Sequence, residues 1–384
     1  MPLLTFPAGG DPALLFGCGR FRMEEHLLER SAEEILRFGR RPLIVCDDNS
    51  HHVAFEAVAA SLRAAGAEPR ELRHNGFCCR DDALALAKAG ALTGADVVVG
   101  LGGGVILDFS KCLAHLAGAP LVAIPTSSAQ CCAYTPIAVC YSREGRYEST
   151  SHFPGEIAAA LIDTSLLSRQ PPRLLAAGAL DAMAKKIELA FWSQLDGNSS
   201  LPAPSLVASA ISETIYADLD AKIDAAMADL AKGEPTPALR DIVFDAIVGA
   251  GIVSGIAGGS RQVALAHRFY FFAKERLAVH CEARDRTAAG GMPATRFTHG
   301  ELVAVGLVMQ HAYNGRPAEG EALAARLRGW GLAASVAELG LPTGPEDVRA
   351  CADFILTTKT MKAALAIEGN RAEARLREAL KSIY

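Results

Sequence analysis

The chain has 384 residues, half of them apolar and 21% charged, which is enough for one large or two medium domains with sizeable cores. Its formal net charge is −5 and no block of lysine and arginine stands out, so nucleic acid is not expected as a partner. The N-terminus lacks the pattern of a signal peptide, and no apolar run is long enough to cross a membrane. With ten cysteines, these features predict a cytoplasmic protein with mostly buried, reduced thiols.

The first part of the chain alternates between strand-like and helix-like patterns. Strands are predicted at 41–47, 68–72, 95–100, 121–124 and 159–163, helices at 53–66, 81–94 and 105–117, and a hairpin around Gly145 at 137–149. Alternating strands and helices are typical of an α/β fold with a mostly parallel sheet.

After Asp163 the pattern changes to helices. Pro171-Pro172 opens an alanine-rich helix, and helical periodicity continues to Tyr384. We therefore predict an α/β domain at 1–165 and an all-helical domain at 166–384. The cleft between two such domains is the default ligand site.

A triple-glycine turn is the most informative motif. Gly102, Gly103 and Gly104 follow an apolar strand and open the helix that carries Asp108 and Lys111. Glycines at such a turn let backbone N–H groups approach a phosphate, and the helix N-terminus favours negative charge. A tight turn with no ligand is the alternative.

Two further strand ends carry polar residues. Asp47 ends the strand at 41–47, where a carboxylate can accept hydrogen bonds from ribose hydroxyls, although a simple turn explains it equally well. A carboxylate there favours NAD over NADP, because it repels a 2′-phosphate. Thr126 and Ser127 follow the strand at 121–124 and offer hydroxyls to a phosphate or ribose.

Three residues of the helical part are candidate metal ligands. Asp181 lies among small apolar residues and needs a metal or a partner such as Lys185, four residues later. His267 lies in an apolar helix, where a buried core histidine is the alternative, and His299 lies in the first turn of a helix that Thr298 and Glu301 cap. One carboxylate and two imidazoles suit Zn²⁺ or Fe²⁺.

In this order, the glycine turn with Asp108 and Lys111, the Ile124-Pro125-Thr126 strand end, Asp163-Thr164, Asp181-Ala182-Met183-Ala184 and His299-Gly300-Glu301 resemble the iron-containing (group III) alcohol dehydrogenases. The resemblance is closest to the glycerol dehydrogenase branch. It implies a Rossmann-like nucleotide-binding domain followed by a helical metal- and substrate-binding domain, and NAD(P)-dependent interconversion of an alcohol or polyol and its carbonyl. It also implies a homo-oligomer.

The resemblance assigns roles to residues at matching positions. It makes Asp181, His267 and His299 the metal ligands, and it places Asp108, with the glycine turn, at the cofactor. It implies that Lys111 reaches the nicotinamide side. On this basis Lys111, Asp181 and His299 are the predicted catalytic residues. A further histidine, His311, is a candidate proton relay.

The chain departs from the glycerol dehydrogenase pattern in the segment at 129–134. No acid stands there, whereas similar glycerol dehydrogenases carry an aspartate that contacts the polyol, so we expect a substrate other than glycerol. Cys131 and Tyr134 are candidate substrate contacts. Lys185 can bind an anionic group of the substrate, and a solvated salt bridge is its alternative.

A second departure is the long spacing between His267 and His299. The intervening segment carries Arg284, Arg286 and Arg296, which predict a lid or loop that selects an anionic substrate. Because of this insert, His280 is an alternative to His267 as metal ligand.

Two other functions remain open at this point. A sugar-phosphate cyclase similar to dehydroquinate synthase shares the two-domain plan, although its first metal ligand is usually a glutamate where Asp181 stands here. The other alternative is a member of the family that binds a nucleotide but catalyses no reaction.

Overall fold

The computed structural model describes residues 15–195, 202–257, 262–281 and 297–384, with the side chains of 278–281 excepted. Its strands are β1 (Phe21–Glu24), β2 (Pro42–Cys46), β3 (Arg70–Arg73), β4 (Val97–Gly102), β5 (Leu121–Pro125), β6 (Ile137–Tyr141), β7 (Tyr147–His152) and β8 (Ala159–Asp163). Six of them form one sheet in the order β1–β8–β5–β4–β2–β3, and every neighbouring pair is parallel. The predicted α/β fold with a parallel sheet is confirmed.

The sheet has an apolar core on each face, which explains why its central strands are apolar throughout. All six residues of β4 are buried. Val98 faces one core, whereas Val97, Val99 and Leu101 belong to the core on the other face. A strand covered on both faces reads as a continuous apolar run rather than as an alternating one.

Edge strand β1 was not predicted from the sequence. It has only four residues, and two of them, Arg22 and Glu24, are charged and form an ion pair with each other. Short charged strands are typical of sheet edges, because charge discourages pairing with another chain.

Helices in the first half are α1 (Ala32–Ile35), α2 (Asp48–Ser50), α3 (Glu56–Ala64), α4 (Arg80–Lys88), α5 (Gly104–Ala117) and α6 (Thr164–Leu167). The second half contains α7 (Pro172–Leu195), α8 (Ala203–Leu230), α9 (Pro237–Phe244), α10 (Ala250–Ile256), α11 (Leu265–Cys281), α12 (His299–Tyr313), α13 (Pro317–Gly329), α14 (Pro345–Thr357), α15 (Lys359–Glu368) and α16 (Asn370–Leu380). Within the described residues after Asp163 every regular element is a helix. The division into domains at residue 165 remains a prediction.

Helix α7 lies between two cores. Leu175 and Ala179 pack into one of the two cores of the sheet, the one that contains Val98. Leu180 and Ala184 pack into a separate core with α11 and α12. Gly300 lets α12 approach α7 closely, since a Cβ there would lie 1.9 Å from the carbonyl oxygen of Ala177. This close packing brings the first turn of α12 against the buried face of α7.

The predicted hairpin is confirmed as β6 and β7, which pair in antiparallel fashion around Gly145. Gly145 has a φ of 83°, a conformation that glycine adopts without steric cost. The hairpin is separate from the main sheet and packs against α5. Across the part of the chain that the structure describes, no helix combines the length and apolarity needed to cross a membrane.

Candidate active site

The glycine turn lies where the order of the strands reverses. The chain passes from β2 to β3 on one side and then returns to place β4 on the other side of β2. Gly103 follows β4 and Asp47 follows β2, so both stand at the carboxyl edge of these neighbouring strands. In open α/β sheets this switch point is the usual place for a ligand.

Local packing explains two of the three glycines of the turn. A Cβ on Gly104 would lie 1.4 Å from Nε2 of Gln130, and one on Gly102 would lie 2.7 Å from Cβ of Ile106. Gly103 is different, because the atom nearest to its added Cβ is Oγ of Ser127 at 3.9 Å. The open space at Gly103, at the N-terminus of α5, is compatible with the predicted phosphate site.

Residues beside the turn hold its backbone. The Thr126 N–H donates to the carbonyl of Gly102 over 3.1 Å, which ties the end of β5 to the turn. Asp47 caps the short helix α2, accepting hydrogen bonds from the backbone N–H and the hydroxyl of Ser50 at 2.7 and 2.6 Å. These hydrogen bonds support the alternative in which Asp47 only stabilises the turn after β2. A contact between Asp47 and ribose stays a prediction.

Asp108 and Lys111 form a buried pair that holds the hairpin. The Lys111 ammonium donates to Asp108 Oδ1 over 2.7 Å and to the carbonyl of Ile137 over 2.6 Å. The other Asp108 oxygen accepts from the Val139 N–H at 2.9 Å. Burial alone would lower the pKa of Lys111, but the Asp108 carboxylate raises it above its usual value. These contacts anchor β6 to α5, and a role of either residue towards the cofactor stays a prediction.

The three predicted metal ligands meet in one cluster, in which Asp181 and His267 are buried and His299 is half-buried. Oδ1 of Asp181 lies 3.4 Å from Nε2 of His267 and 3.3 Å from Nε2 of His299. One ligand atom from each residue lies within 4.8 Å of the others. The elements that bring them together are α7, α11 and the first turn of α12, whose predicted Thr298–Glu301 capping box is present.

Glu188, which the sequence analysis missed, fixes the orientation of His267. Its Oε2 lies 2.5 Å from Nδ1 of His267, and its Oε1 accepts from the backbone N–H groups of Ala264 and His267. Since Nδ1–H is donated to this carboxylate, Nε2 is the ring atom left for a metal, and it faces Asp181. The sequence feature that could have identified Glu188 is its position seven residues after Asp181, on the same face of α7.

The cluster has the character of a cation site. Oδ1 of Asp181 is buried and makes no hydrogen bond in the described structure, although two imidazole nitrogens face it. Burial would raise the pKa of Asp181, but Lys185 and the two imidazoles hold it well below its usual value, so the carboxylate is charged. A buried carboxylate oxygen opposite imidazole lone pairs is stabilised by a cation between them. A divalent ion therefore fits these three residues.

Lys185 lies one helical turn after Asp181 and is 4% exposed. Its ammonium forms no hydrogen bond or ion pair with any other described residue. Burial would lower its pKa, but the carboxylates of Asp181 and Glu188 raise it, so Lys185 is an ammonium ion near the cluster. The neighbouring Lys186 instead pairs with Glu213 at 2.7 Å. The predicted salt-bridge alternative thus describes Lys186 rather than Lys185.

The other predicted contacts differ in their surroundings. Cys131 is half-buried and feels the charges of Lys185 and Asp181, so it borders the cluster. Tyr134 packs against Phe21, and its atoms fill the space beside Gly251, which accounts for its burial. A substrate contact for Tyr134 or Cys131 remains a prediction.

The structure places His311 away from the cluster. It lies 3.4 Å from Glu319, near the other end of α12. Twelve residues of helix separate it from His299 by roughly 18 Å, which is too far for the proton relay suggested from the sequence. Arg284, Arg286 and Arg296 and the side chain of His280 lie outside the described residues.

Residues 18–163 match the model of the iron-containing alcohol dehydrogenase family. Glycerol dehydrogenase from Pseudomonas putida is 27% identical over 339 residues, 88% of each chain. The chain is therefore similar to the iron-containing alcohol dehydrogenases, by the family model over residues 18–163 and by this relative over most of its length. These relatives are named dehydrogenases and reductases, which supports an oxidoreductase of the alcohol dehydrogenase and reductase type.

Two further similarities bear on substrate and fold. Hydroxycarboxylate dehydrogenase A of Escherichia coli (strain K12) is 30% identical over 250 residues, which span 64% of this chain and 63% of that protein. The crystal structure of a probable glycerol dehydrogenase from Sinorhizobium meliloti 1021 superposes with a TM-score of 0.78 at 24% identity and covers 97% of this chain and 98% of the other. The second likeness supports the fold, including the helical half that the family model does not cover.

Proposed function

We propose that the protein is a metal-dependent, NAD(H)-linked oxidoreductase that interconverts an anionic alcohol and its carbonyl. The observation that carries the proposal is the Asp181–His267–His299 cluster, with its buried, charged carboxylate oxygen that lacks a hydrogen bond. When bound, a divalent ion supplies Lewis acidity and the nicotinamide supplies hydride chemistry.

The chain itself provides a separate place for each group. Asp181, His267 and His299 would hold the metal, and Glu188 keeps the His267 imidazole in the tautomer that binding requires. The space at Gly103 and the N-terminus of α5 would receive the pyrophosphate, with Thr126 and Ser127 beside it. Asp47 at the end of β2 favours NAD over NADP.

Lys185 supports an anionic substrate. Lys185 is 4% exposed and its ammonium makes no hydrogen bond to another described residue, so a substrate carboxylate would give this charge a partner. No acid that could bind a polyol stands at 129–134, which argues against glycerol. The similarity to a protein named hydroxycarboxylate dehydrogenase is consistent with a hydroxy acid. We therefore favour a small hydroxy acid and the corresponding oxo acid.

The test is a comparison of substrates with purified protein, following NADH absorbance. Small 2-hydroxy acids, their oxo acids and their uncharged alcohol counterparts, with glycerol included, are each assayed with NAD(H) and Zn²⁺ or Fe²⁺. We expect turnover with the acids and little with glycerol. Absence of any NADH change across the series, with tightly held NAD, would instead favour the cyclase.

Two neighbouring lysines give a matched pair of variants. Lys185→Gln removes the buried charge, and we expect kcat/KM for the acid to fall roughly 10- to 100-fold, the value of a hydrogen bond to a charged group. Metal content should not fall, because a nearby positive charge is removed. Lys186→Gln, which loses the pair with Glu213 and the contact with the Tyr216 ring, should behave as the parent enzyme. An equal loss for acid and uncharged alcohol in Lys185→Gln would contradict the anionic substrate.

A further inference from the structure

Three cysteines meet outside the candidate active site. Cys78 precedes α4, Cys112 lies on α5 and Cys140 lies on β6, and each is 0% exposed. Their Sγ atoms all lie within 4.8 Å of one another, and those of Cys78 and Cys112 are 4.0 Å apart. Three separate elements thus bring their thiols to a single point, which we call the thiol cluster.

The spacing of the sulfurs is close to that of a three-coordinate metal site. With metal–sulfur bonds of roughly 2.3 Å, three thiolates in a plane around one ion are about 4.0 Å apart. The Cys78–Cys112 distance already has this value, and the distances to Sγ of Cys140 are within 4.8 Å, so only a small shift of Cys140 is required. No other histidine, cysteine or acid among the described residues belongs to the cluster. Three soft ligands without a fourth fit a cuprous ion better than Zn²⁺, which usually takes four in structural sites.

The surroundings of Cys140 favour its ionisation before any metal binds. Hydrogen bonds from the thiols of Cys112 and Cys78, with a smaller contribution from the charge of Arg80, lower the pKa of Cys140. Hydrogen bonds with neighbouring thiols and burial raise the pKa values of Cys78 and Cys112, with a smaller contribution from the charge of Asp108. A bound cation would favour the two thiolates, and the protons of Cys78 and Cys112 would leave to solvent on binding.

We propose that Cys78, Cys112 and Cys140 form a trigonal site for one cuprous ion. Binding there joins the β6–β7 hairpin and the loop before α4 to α5. Since such an ion binds only the folded arrangement, it should also raise the melting temperature.

The experiment uses reduced, zinc-loaded protein without oxygen. Cuprous ion is added as its acetonitrile complex against the coloured competitor bicinchoninate, and the copper withheld from the competitor is counted. We expect one ion per chain in the parent protein and none in Cys112→Ala or Cys78→Ala. The control Cys351→Ala removes an equally buried cysteine outside the cluster, and Cys131→Ala/Cys132→Ala removes the half-buried pair at 131–132. Both controls should still bind one ion.

Two results would overturn the proposal. One is withheld copper that is unchanged in Cys112→Ala and Cys78→Ala, shown to be folded by circular dichroism. The other needs no variant: X-ray absorption of the copper-loaded parent should show three sulfur neighbours at roughly 2.3 Å. Two sulfurs, or nitrogen neighbours, would place the ion elsewhere. Failure of this site would leave the proposed oxidoreductase function untouched, because the two rest on different residues.

Discussion

Glu188 fixes one imidazole of the candidate metal site before any metal binds. It is fully buried, and its carboxylate accepts two backbone hydrogen bonds as well as the one from Nδ1 of His267. The backbone contacts hold the carboxylate in place, and the carboxylate in turn holds the ring. Such partners behind the ligands orient the ring and raise its basicity.

This arrangement predicts the effect of Glu188→Gln. An amide is a weaker acceptor than a carboxylate, so the His267 ring should lose basicity and order, and Zn²⁺ affinity should fall roughly 10- to 100-fold. Competition with a coloured chelator measures the affinity. Glu34→Gln is the control, since Glu34 is also a buried acid but pairs with Arg20 beside the sheet. Equal zinc affinity in the parent and in Glu188→Gln would refute the role of Glu188.

Among single residues, the candidate metal ligands could be predicted from the sequence, but the residues that hold them in position could not. A polar, metal-binding side chain in an apolar helical segment needs a partner or a metal, and this made three residues identifiable: Asp181, His267 and His299. Glu188 and Gln130 act through contacts with residues distant in the chain: Glu188 binds a histidine 79 residues later. Such a partner is visible only once the helices are packed.

At the scale of elements, the β6–β7 hairpin depends on the buried pair on α5. Lys111 and Asp108 together bind two backbone groups of β6, over a sequence separation of 26 and 31 residues. The sequence predicted the hairpin from its turn, and the resemblance assigned the pair to the cofactor. The structural use of the pair was not predictable, because nothing local in the sequence marks which backbone groups it binds.

Lys111→Met should therefore destabilise the protein. It leaves Asp108 as a buried charge without its cation, which costs roughly 3–5 kcal/mol in the free energy of unfolding. The double variant Asp108→Asn/Lys111→Met should lose less than the sum of the two single losses, because it leaves no isolated charge. Urea denaturation measures all four proteins. Strictly additive losses would show that the two side chains do not act as a pair.

A second element-scale prediction concerns Asp245, which opens the π-helical turn Asp245–Gly249. Burial, with the nearby Asp218, raises the pKa of Asp245 to about 7. In the unfolded chain an aspartate titrates at about 3.9. Between these two values the unfolded chain has lost the proton that the folded chain keeps, so this residue makes stability fall as the pH rises from about 4 to about 7.

Asp245→Asn should remove that dependence. At pH 8 the variant should gain up to about 4 kcal/mol in the free energy of unfolding, whereas near pH 5 the gain should be much smaller. Urea denaturation at the two pH values gives the comparison. The exposed Asp353→Asn serves as control and should show no difference between them. A variant that is destabilised at pH 8 would contradict the raised pKa.

At the scale of the whole molecule, the fold places two kinds of site that are far apart in the sequence. The predicted phosphate site at Gly103 lies at the switch point of the sheet, and the candidate metal site lies where α7 meets α11 and α12. Cys131, at the start of the short 3-10 helix Cys131–Ala133, lies between them: its neighbour Gln130 packs on Gly104, and the charges of Lys185 and Asp181 affect the pKa of Cys131.

Much of this plan was predictable because each strand and helix carries its own pattern. The parallel sheet, the hairpin and the helical second half were all expected from periodicity and turn residues. The strand order was not, since the pairing of β1 with β8 joins residues 139 positions apart and leaves no local signature. The neighbourhood of Asp47 and the glycine turn likewise follows from the order of the strands.

The most direct measurement of the central claim is the dependence of NADH turnover on metal bound at Asp181, His267 and His299. The protein is stripped with a chelator and titrated with Zn²⁺ or Fe²⁺ while the rate with a small hydroxy acid is followed, in the parent and in Asp181→Asn. We expect no rate without metal, recovery that saturates at one ion per chain, and neither tight metal binding nor recovery in Asp181→Asn. A full rate in the stripped parent, or recovery in Asp181→Asn equal to that of the parent, would contradict metal-dependent turnover at these residues.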